Sequence, residues 1–251
     1  MFLTKDDLKL SYGVHLTIGA AYVDRKVPKE NLYWKNRTIY LPGAPGYIFM
    51  PIFTDLLFRA GADHDLLTSE KYFQTCESIL HRAALHEHGE LSWKEHIREI
   101  CSDLEHSVLN KDLYNRLLEY LYQERPVRNQ EVGLGTAFPS LNRADSYLFA
   151  LATFESNAFD LQKAIDGWYA LMTYFLLLDD LADIKEDLVS GQENVLIDAG
   201  LNEGGEKIVA RMIDQSISIM ESINPVMSNR IEHKKSLIDL NKIIQSIRQE
   251  K

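Results

Sequence analysis

The sequence predicts an all-α fold built as a helical bundle. After about residue 46, apolar residues recur every three or four positions, and few Gly or Pro residues interrupt the periodic stretches. The 251 residues are 45% hydrophobic and 25% charged, which is typical of a globular protein. A chain of this size is expected to form a single domain over residues 1–251, with residues 1–45 as an N-terminal appendage and residues 46–251 as the bundle.

The N-terminal appendage fits more than one pattern. Apolar residues alternate strictly from residue 8 to residue 18, as in a strand, but their spacing also fits a helix, and we predict a helix over residues 6–24. Residues 31–41 are rich in aromatic and β-branched side chains and predict a short β-hairpin. The Pro- and Gly-rich residues 42–46 then predict irregular backbone.

Capping signals place the first helices of the bundle. Thr68, Ser69 and Glu70 predict the start of a helix that continues to about Glu87. The sequence from Ser92 to Glu95 is a capping box and predicts another helix. A third follows over residues 113–123, and then the loop residues Pro126, Gly133, Gly135 and Pro139 predict a connection over residues 126–140.

The C-terminal half predicts longer helices. A helical region is expected over residues 141–189, with a break near residue 156 and an end at Ser190-Gly191. Residues 203–223 and 229–249 predict two more helices, separated by Asn224-Pro225.

Composition and charge exclude several classes of function. There are 37 acidic and 27 basic residues and no polybasic block, so we expect no nucleic-acid partner. The most apolar window, residues 168–178, is well short of the roughly 20 residues that span a bilayer, so no integral membrane segment is predicted. An acidic N-terminus and two cysteines without a metal-site spacing, Cys76 and Cys101, predict a cytoplasmic protein.

The most informative stretch is a run of acidic residues directly behind that apolar window. At about 100° per residue, four carboxylates share one face of a helix. Closely spaced carboxylates repel, most strongly near an apolar core, and a hard divalent cation relieves that repulsion. The sequence therefore predicts Mg²⁺ as a cofactor, with these metal ligands: Asp179, Asp180, Asp183 and Asp187.

These residues also resemble a known family. Residues 179–183 read as DDxxD, and residues 183–187 read as DxxED ahead of Gly191. Both resemble the aspartate-rich motifs of the class I trans-isoprenoid and terpene synthases, and the second is similar to the form in the squalene and phytoene synthase branch. The resemblance covers about 20 of the 251 residues. It implies the terpenoid synthase fold, a prenyl diphosphate as small-molecule partner, and a terpene synthase or prenyltransferase reaction that begins with loss of diphosphate.

Arginines near the acidic motif are candidates for binding the diphosphate. Members of that family use arginines for this purpose, and guanidinium groups pair with phosphate oxygens bidentately. Arg125, Arg128 and Arg143 lie upstream of the acidic run and are the substrate-binding candidates. The alternative interpretation is that they are ordinary surface arginines, and no catalytic acid or base is identified.

A second class of function stays open. The resemblance implies another acidic motif about a hundred residues upstream, but neither residues 86–90 nor residues 103–105 match one. The alternative is therefore a non-catalytic or degenerate helical bundle that serves as a binding protein.

A group of four histidines is interpreted as surface or cap residues, because His86 and His88 would point apart on a helix. The group comprises His81, His86, His88 and His96. A homodimer and the length of the substrate are left open.

Overall fold

A computed structural model describes residues 4–26, 48–128 and 133–249. Those residues are mainly helical and contain no β-strand, so the predicted all-α class is confirmed for them. The predicted hairpin over residues 31–41 lies outside the described residues. In the described ranges, no helix combines the length and the apolar character that a bilayer-crossing segment needs.

The described residues form helices along most of their length. In chain order the α-helices are α1 Leu16–Asp24, α2 Phe49–Arg59, α3 His64–Leu67, α4 Glu70–Glu87, α5 Trp93–Leu104, α6 Lys111–Leu121, α7 Leu161–Met172, α8 Leu178–Ser190, α9 Val195–Ala199, α10 Glu203–Ile223, α11 Pro225–Ser236 and α12 Leu240–Gln249. The described part of the chain also contains two 3₁₀ segments, Pro139–Asn142 and Asp145–Thr153, and two π-helical turns, Asp7–Ser11 and Thr173–Leu177.

The predicted caps place several helix starts correctly. The Ser69 side chain accepts a hydrogen bond from the Tyr72 N–H at the start of α4. At the start of α5, the Ser92 side chain and the Glu95 side chain each bond to the other's backbone N–H, so the capping box is confirmed. Helix α10 spans the 21 residues that were predicted for it.

Other predicted helices are interrupted. The helix predicted over residues 6–24 is wrong in its middle, because Gly13 adopts φ +67°, a left-handed conformation that breaks the helix before α1. The region predicted over residues 141–189 contains 3₁₀ turns, a break, and a π-helical turn before α8. One helix was predicted over residues 229–249, but two helices, α11 and α12, are found there. The first of them begins earlier, at Pro225.

Contacts group the chain into two compact units. The first unit comprises residues 1–126 and 144–164, and the second comprises residues 127–143 and 165–251. The prediction of a single domain stays a prediction, because contact density does not measure whether a unit folds alone.

The first unit packs its helices around an aromatic core. Helix α4 packs on α5 and on the 3₁₀ segment Asp145–Thr153, and α6 packs on the same segment. Phe53 and Phe149 are completely buried there. Burying each such side chain contributes about 2–3 kcal/mol, so this packing is the main source of the unit's stability.

The second unit is built around α10. Helices α11 and α12 both pack on α10, and the π-helical turn Thr173–Leu177 joins α7 to α8 beside it. Trp168 on α7 is fully buried. The Ser216 hydroxyl donates a hydrogen bond of 2.8 Å to Thr173 Oγ1, which fixes the π-helical turn against α10.

Helix α8 ends at a position whose backbone conformation favours glycine. Gly191 has φ +72°, and a Cβ built there meets no atom within 4 Å. Replacing Gly191 with Ala therefore tests backbone conformation without a clash, and we expect the free energy of unfolding to fall by about 1 kcal/mol. Gly191→Asn is the control, since Asn tolerates this conformation better. Equal losses for both variants in urea unfolding would contradict the conformational explanation.

Candidate functional site on helix α8

Helix α8 divides the four predicted carboxylates into two pairs. Asp180 and Asp187 are buried, with exposed fractions of 4% and 7%. Asp179 and Asp183 are exposed, and they stand four residues apart on one side of the helix. The acidic run therefore has an inner pair and an outer pair.

Asp180 is bound by groups within the second unit. Arg143 donates to both of its carboxylate oxygens, with Nη2 2.8 Å from Oδ1 and Nη1 3.3 Å from Oδ2. The Val195 N–H donates a third hydrogen bond of 2.7 Å. Burial raises the pKa of Asp180, and the hydrogen bonds from Arg143 oppose that rise. This carboxylate thus joins residue 143 and helix α9 to α8.

Asp187 has a partner of its own. The Asn194 side-chain amide donates a hydrogen bond of 2.7 Å to Asp187 Oδ2 and another of 2.7 Å to the Asp180 carbonyl oxygen. The Asn194 Oδ1 atom accepts the Leu196 N–H at 2.9 Å and caps α9. The inner pair of carboxylates therefore fixes the α8–α9 connection.

The outer pair lies beside cationic side chains. Partial burial and the neighbouring Asp183 carboxylate raise the pKa of Asp179, whereas Lys234 and Arg143 lower it. Burial lowers the pKa of Lys234, with Asp179 opposing and Arg230 assisting that change. Helix α11 thus brings positive charge close to the exposed side of α8.

Tyr174 organises those cations. The Lys234 ammonium nitrogen lies 4.7 Å from the centroid of the Tyr174 ring. Arg230 donates a hydrogen bond from Nε to the Tyr174 hydroxyl, and its guanidinium carbon lies 5.6 Å from the ring centroid. Since both cations contact one aromatic ring, they are held on the same side of α11.

The three predicted arginines have different positions. Arg143 is at the site but pairs with Asp180. Arg128 is exposed in the second unit, where its backbone N–H donates to the Thr136 carbonyl oxygen. Arg125 is exposed and belongs to the first unit.

Lys234 and Arg230 were missed in the sequence. Their spacing of four residues, at a helix end whose last turn contains His233, Lys234 and Lys235, indicates a basic face but not that this face lies near α8.

Of the four predicted ligands, the outer pair of carboxylates fits a magnesium ion, but two carboxylates do not complete its coordination. In the described part of the chain, no three His, Cys, Asp or Glu side chains are arranged to hold a metal ion. Mg²⁺ commonly uses only one or two carboxylates and takes its remaining ligands from water and phosphate oxygens. Asp179 and Asp183 match that requirement, and they would hold the ion only together with a phosphate ligand.

The predicted surface position is wrong for His96, which packs against His86 in the first unit. His86 stacks on His96 with ring centroids 5.3 Å apart. His96 is 1% exposed, and its Nε2 lies 2.9 Å from Ser146 Oγ. His88 is exposed at the end of α4.

Comparisons with known proteins identify no family for this chain. No family model, no curated protein and no solved structure matches the chain.

Proposed function

We propose that the chain binds a magnesium diphosphate on the exposed side of α8, and that the diphosphate belongs to a prenyl substrate. The observation that carries this proposal is the electrostatic interaction of Asp179 in the outer pair with Lys234, a cation that shares the Tyr174 ring with Arg230. Carboxylates alone would repel a diphosphate, and cations alone would not select a metal complex. Both kinds of charge side by side suit a ligand that is itself a cation paired with an anion.

The residues have distinct tasks in this proposal. Asp179 and Asp183 contribute oxygen ligands to the ion. Lys234 and Arg230 supply positive charge for the phosphate oxygens, with Tyr174 keeping both side chains in place. Mg²⁺, when bound, neutralises negative charge on a departing diphosphate. Arg143 acts indirectly, because its bond to Asp180 fixes the rotation of α8 about its own axis.

The prenyl group and the reaction rest on the resemblance to the isoprenoid and terpene synthases. Phe175 is partly exposed and its ring centroid lies 5.0 Å from that of the buried Tyr174, so an apolar tail would pack on Phe175. Aromatic rings stabilise carbocations and exclude water, as a reaction that ionises a prenyl diphosphate requires.

Thermal melting tests the proposal through its dependence on two ligands. We expect Mg²⁺ alone and inorganic diphosphate alone to raise the melting temperature little, and both together to raise it by several degrees, because a ligand that binds the native state stabilises it. Asp179→Asn and Asp183→Asn should each remove most of the combined shift. Lys234→Gln should also reduce the combined shift.

Glu221→Gln is the matched control, since it removes one exposed carboxylate from α10 in the same unit. It should keep the full combined shift. A combined shift no larger than the sum of the two separate shifts, or one that survives in Asp179→Asn, would refute the proposed site.

One observation favours a second candidate, a non-catalytic binding protein. Asp180 and Asp187, half of the acidic motif, have hydrogen-bond partners inside the second unit. In that case the motif stabilises the fold, and the parent protein shows no magnesium-dependent response to diphosphate. The same melting experiment distinguishes the two functions.

A further inference from the structure

Two imidazole rings converge on one hydroxyl group at the surface of the first unit. His15 Nδ1 lies 2.9 Å from Thr17 Oγ1, and His64 Nε2 lies 2.7 Å from the same oxygen. The two nitrogens therefore cannot be farther apart than the sum of those distances. His15 and Thr17 are exposed and His64 is partly exposed, so solvent reaches the group.

The proton positions at His64 follow from its second contact. His64 Nδ1 lies 3.3 Å from Asp65 Oδ1. A carboxylate accepts hydrogen bonds and does not donate them, so Nδ1 carries the proton and the neutral ring has its lone pair on Nε2. That nitrogen is the one that faces Thr17. A carboxylate behind an imidazole is also the usual outer partner of a metal-binding histidine.

The two rings are held in place by their neighbours. Phe58 on α2 contacts both, with ring centroids 5.1 Å from His15 and 6.1 Å from His64. The His15 backbone N–H donates a hydrogen bond of 2.8 Å to Oδ1 of the buried Asp55. Asp55 also forms an ion pair with Arg59, whose Nε lies 2.6 Å from Oδ2. These contacts restrict both side chains, which lowers the entropy cost of binding an ion.

We propose that His15 and His64 form a binding site for a transition metal ion of the Zn²⁺ class. Imidazole nitrogen suits Zn²⁺, Ni²⁺ and Cu²⁺, whereas Mg²⁺ prefers oxygen, so this site differs in chemistry from the one on α8. Binding of the ion releases the proton of His15 Nδ1 to solvent, and Nδ1 is then the second ligand. Water, and the Thr17 hydroxyl where it stays in place, complete the coordination.

Isothermal titration of the full chain with ZnCl₂ tests the site. Excess Mg²⁺ in the buffer occupies sites made of oxygen ligands, and the expected stoichiometry is one Zn²⁺ per chain. His15→Ala and His64→Ala should each weaken Zn²⁺ binding about tenfold or more, and Asp65→Ala should weaken it about tenfold through the lost support of His64. His106→Ala, which changes another exposed histidine of this unit, is the matched control and should bind Zn²⁺ as the parent does.

Electron paramagnetic resonance with Cu²⁺ counts the imidazole ligands directly, and circular dichroism of each variant checks that it is folded. The parent should show hyperfine coupling to two imidazole nitrogens, and each histidine variant should lose one of them. Unchanged Zn²⁺ affinity in both His15→Ala and His64→Ala, or no Zn²⁺ binding by the parent in the micromolar range, would overturn the proposal. The response to magnesium diphosphate is measured on the same variants and should not change, so failure of one site is distinguishable from failure of the other.

Discussion

Replacing Asp180 with Ala is expected to lower the free energy of unfolding by about 3 kcal/mol. The change removes both bonds from Arg143 and leaves the Val195 N–H without its acceptor. Breaking a buried ion pair costs about 3–5 kcal/mol, and the Arg143 side chain, 31% exposed, regains part of that cost from water. Urea unfolding followed by circular dichroism measures the loss.

Asp183→Ala is the matched control, because it removes a carboxylate from the same helix at an exposed position. Its free energy of unfolding should stay within about 0.5 kcal/mol of the parent value. The double variant Arg143→Ala/Asp180→Ala should lose less than the two single losses added together, since each single change leaves a charged partner behind. Equal effects of Asp180→Ala and Asp183→Ala would show that Asp180 has no structural role.

The second large effect concerns pH and His96. Burial lowers the pKa of His96 to about 4, and the neighbouring His86 contributes in the same direction. The folded protein thus binds a proton on this ring less readily than the unfolded chain, whose histidine has a pKa of about 6.5. Stability is therefore lost as pH falls from about 6.5 to about 4, by up to about 3 kcal/mol over that window.

Carboxylates also titrate near the lower end of that window, so the comparison must be made between variants. His96→Gln replaces the ring by a group that stays neutral, and its free energy of unfolding should decline less than that of the parent between pH 7 and pH 4.5. His106→Gln, at an exposed position, should follow the parent curve. Parallel curves for the parent and His96→Gln would contradict the assignment to His96.

Local signals in the sequence predict much of the helical structure. Ser92 and Glu95 form the predicted capping box, and α10 has its predicted bounds, because both depend on residues close in the chain. Backbone breaks were harder to predict. The apolar pattern continues across Gly13, and one glycine inside a periodic stretch is ordinarily tolerated in a helix.

The site was only partly predictable, and the reason is again physical. Helical periodicity places Asp179, Asp180, Asp183 and Asp187 on a broad face, but it does not say where the boundary between core and solvent crosses that face. The boundary depends on Asn194 and Arg143, which approach α8 from other segments and bind its inner carboxylates. Lys234 was missed for the same reason, since its proximity to Asp179 depends on how α11 packs in the second unit.

The π-helical turn Thr173–Leu177 has a consequence for the outward side of α8. A π-helical turn amounts to one extra residue within an α-helix, and one residue corresponds to a rotation of about 100°. A chain that lost a single residue here would be a more regular helix, yet every downstream side chain would swing by about that angle. Asp180 would leave its arginine, and the outer carboxylates would turn away from Lys234. The irregularity thus acts as a spacer that sets which acids meet water.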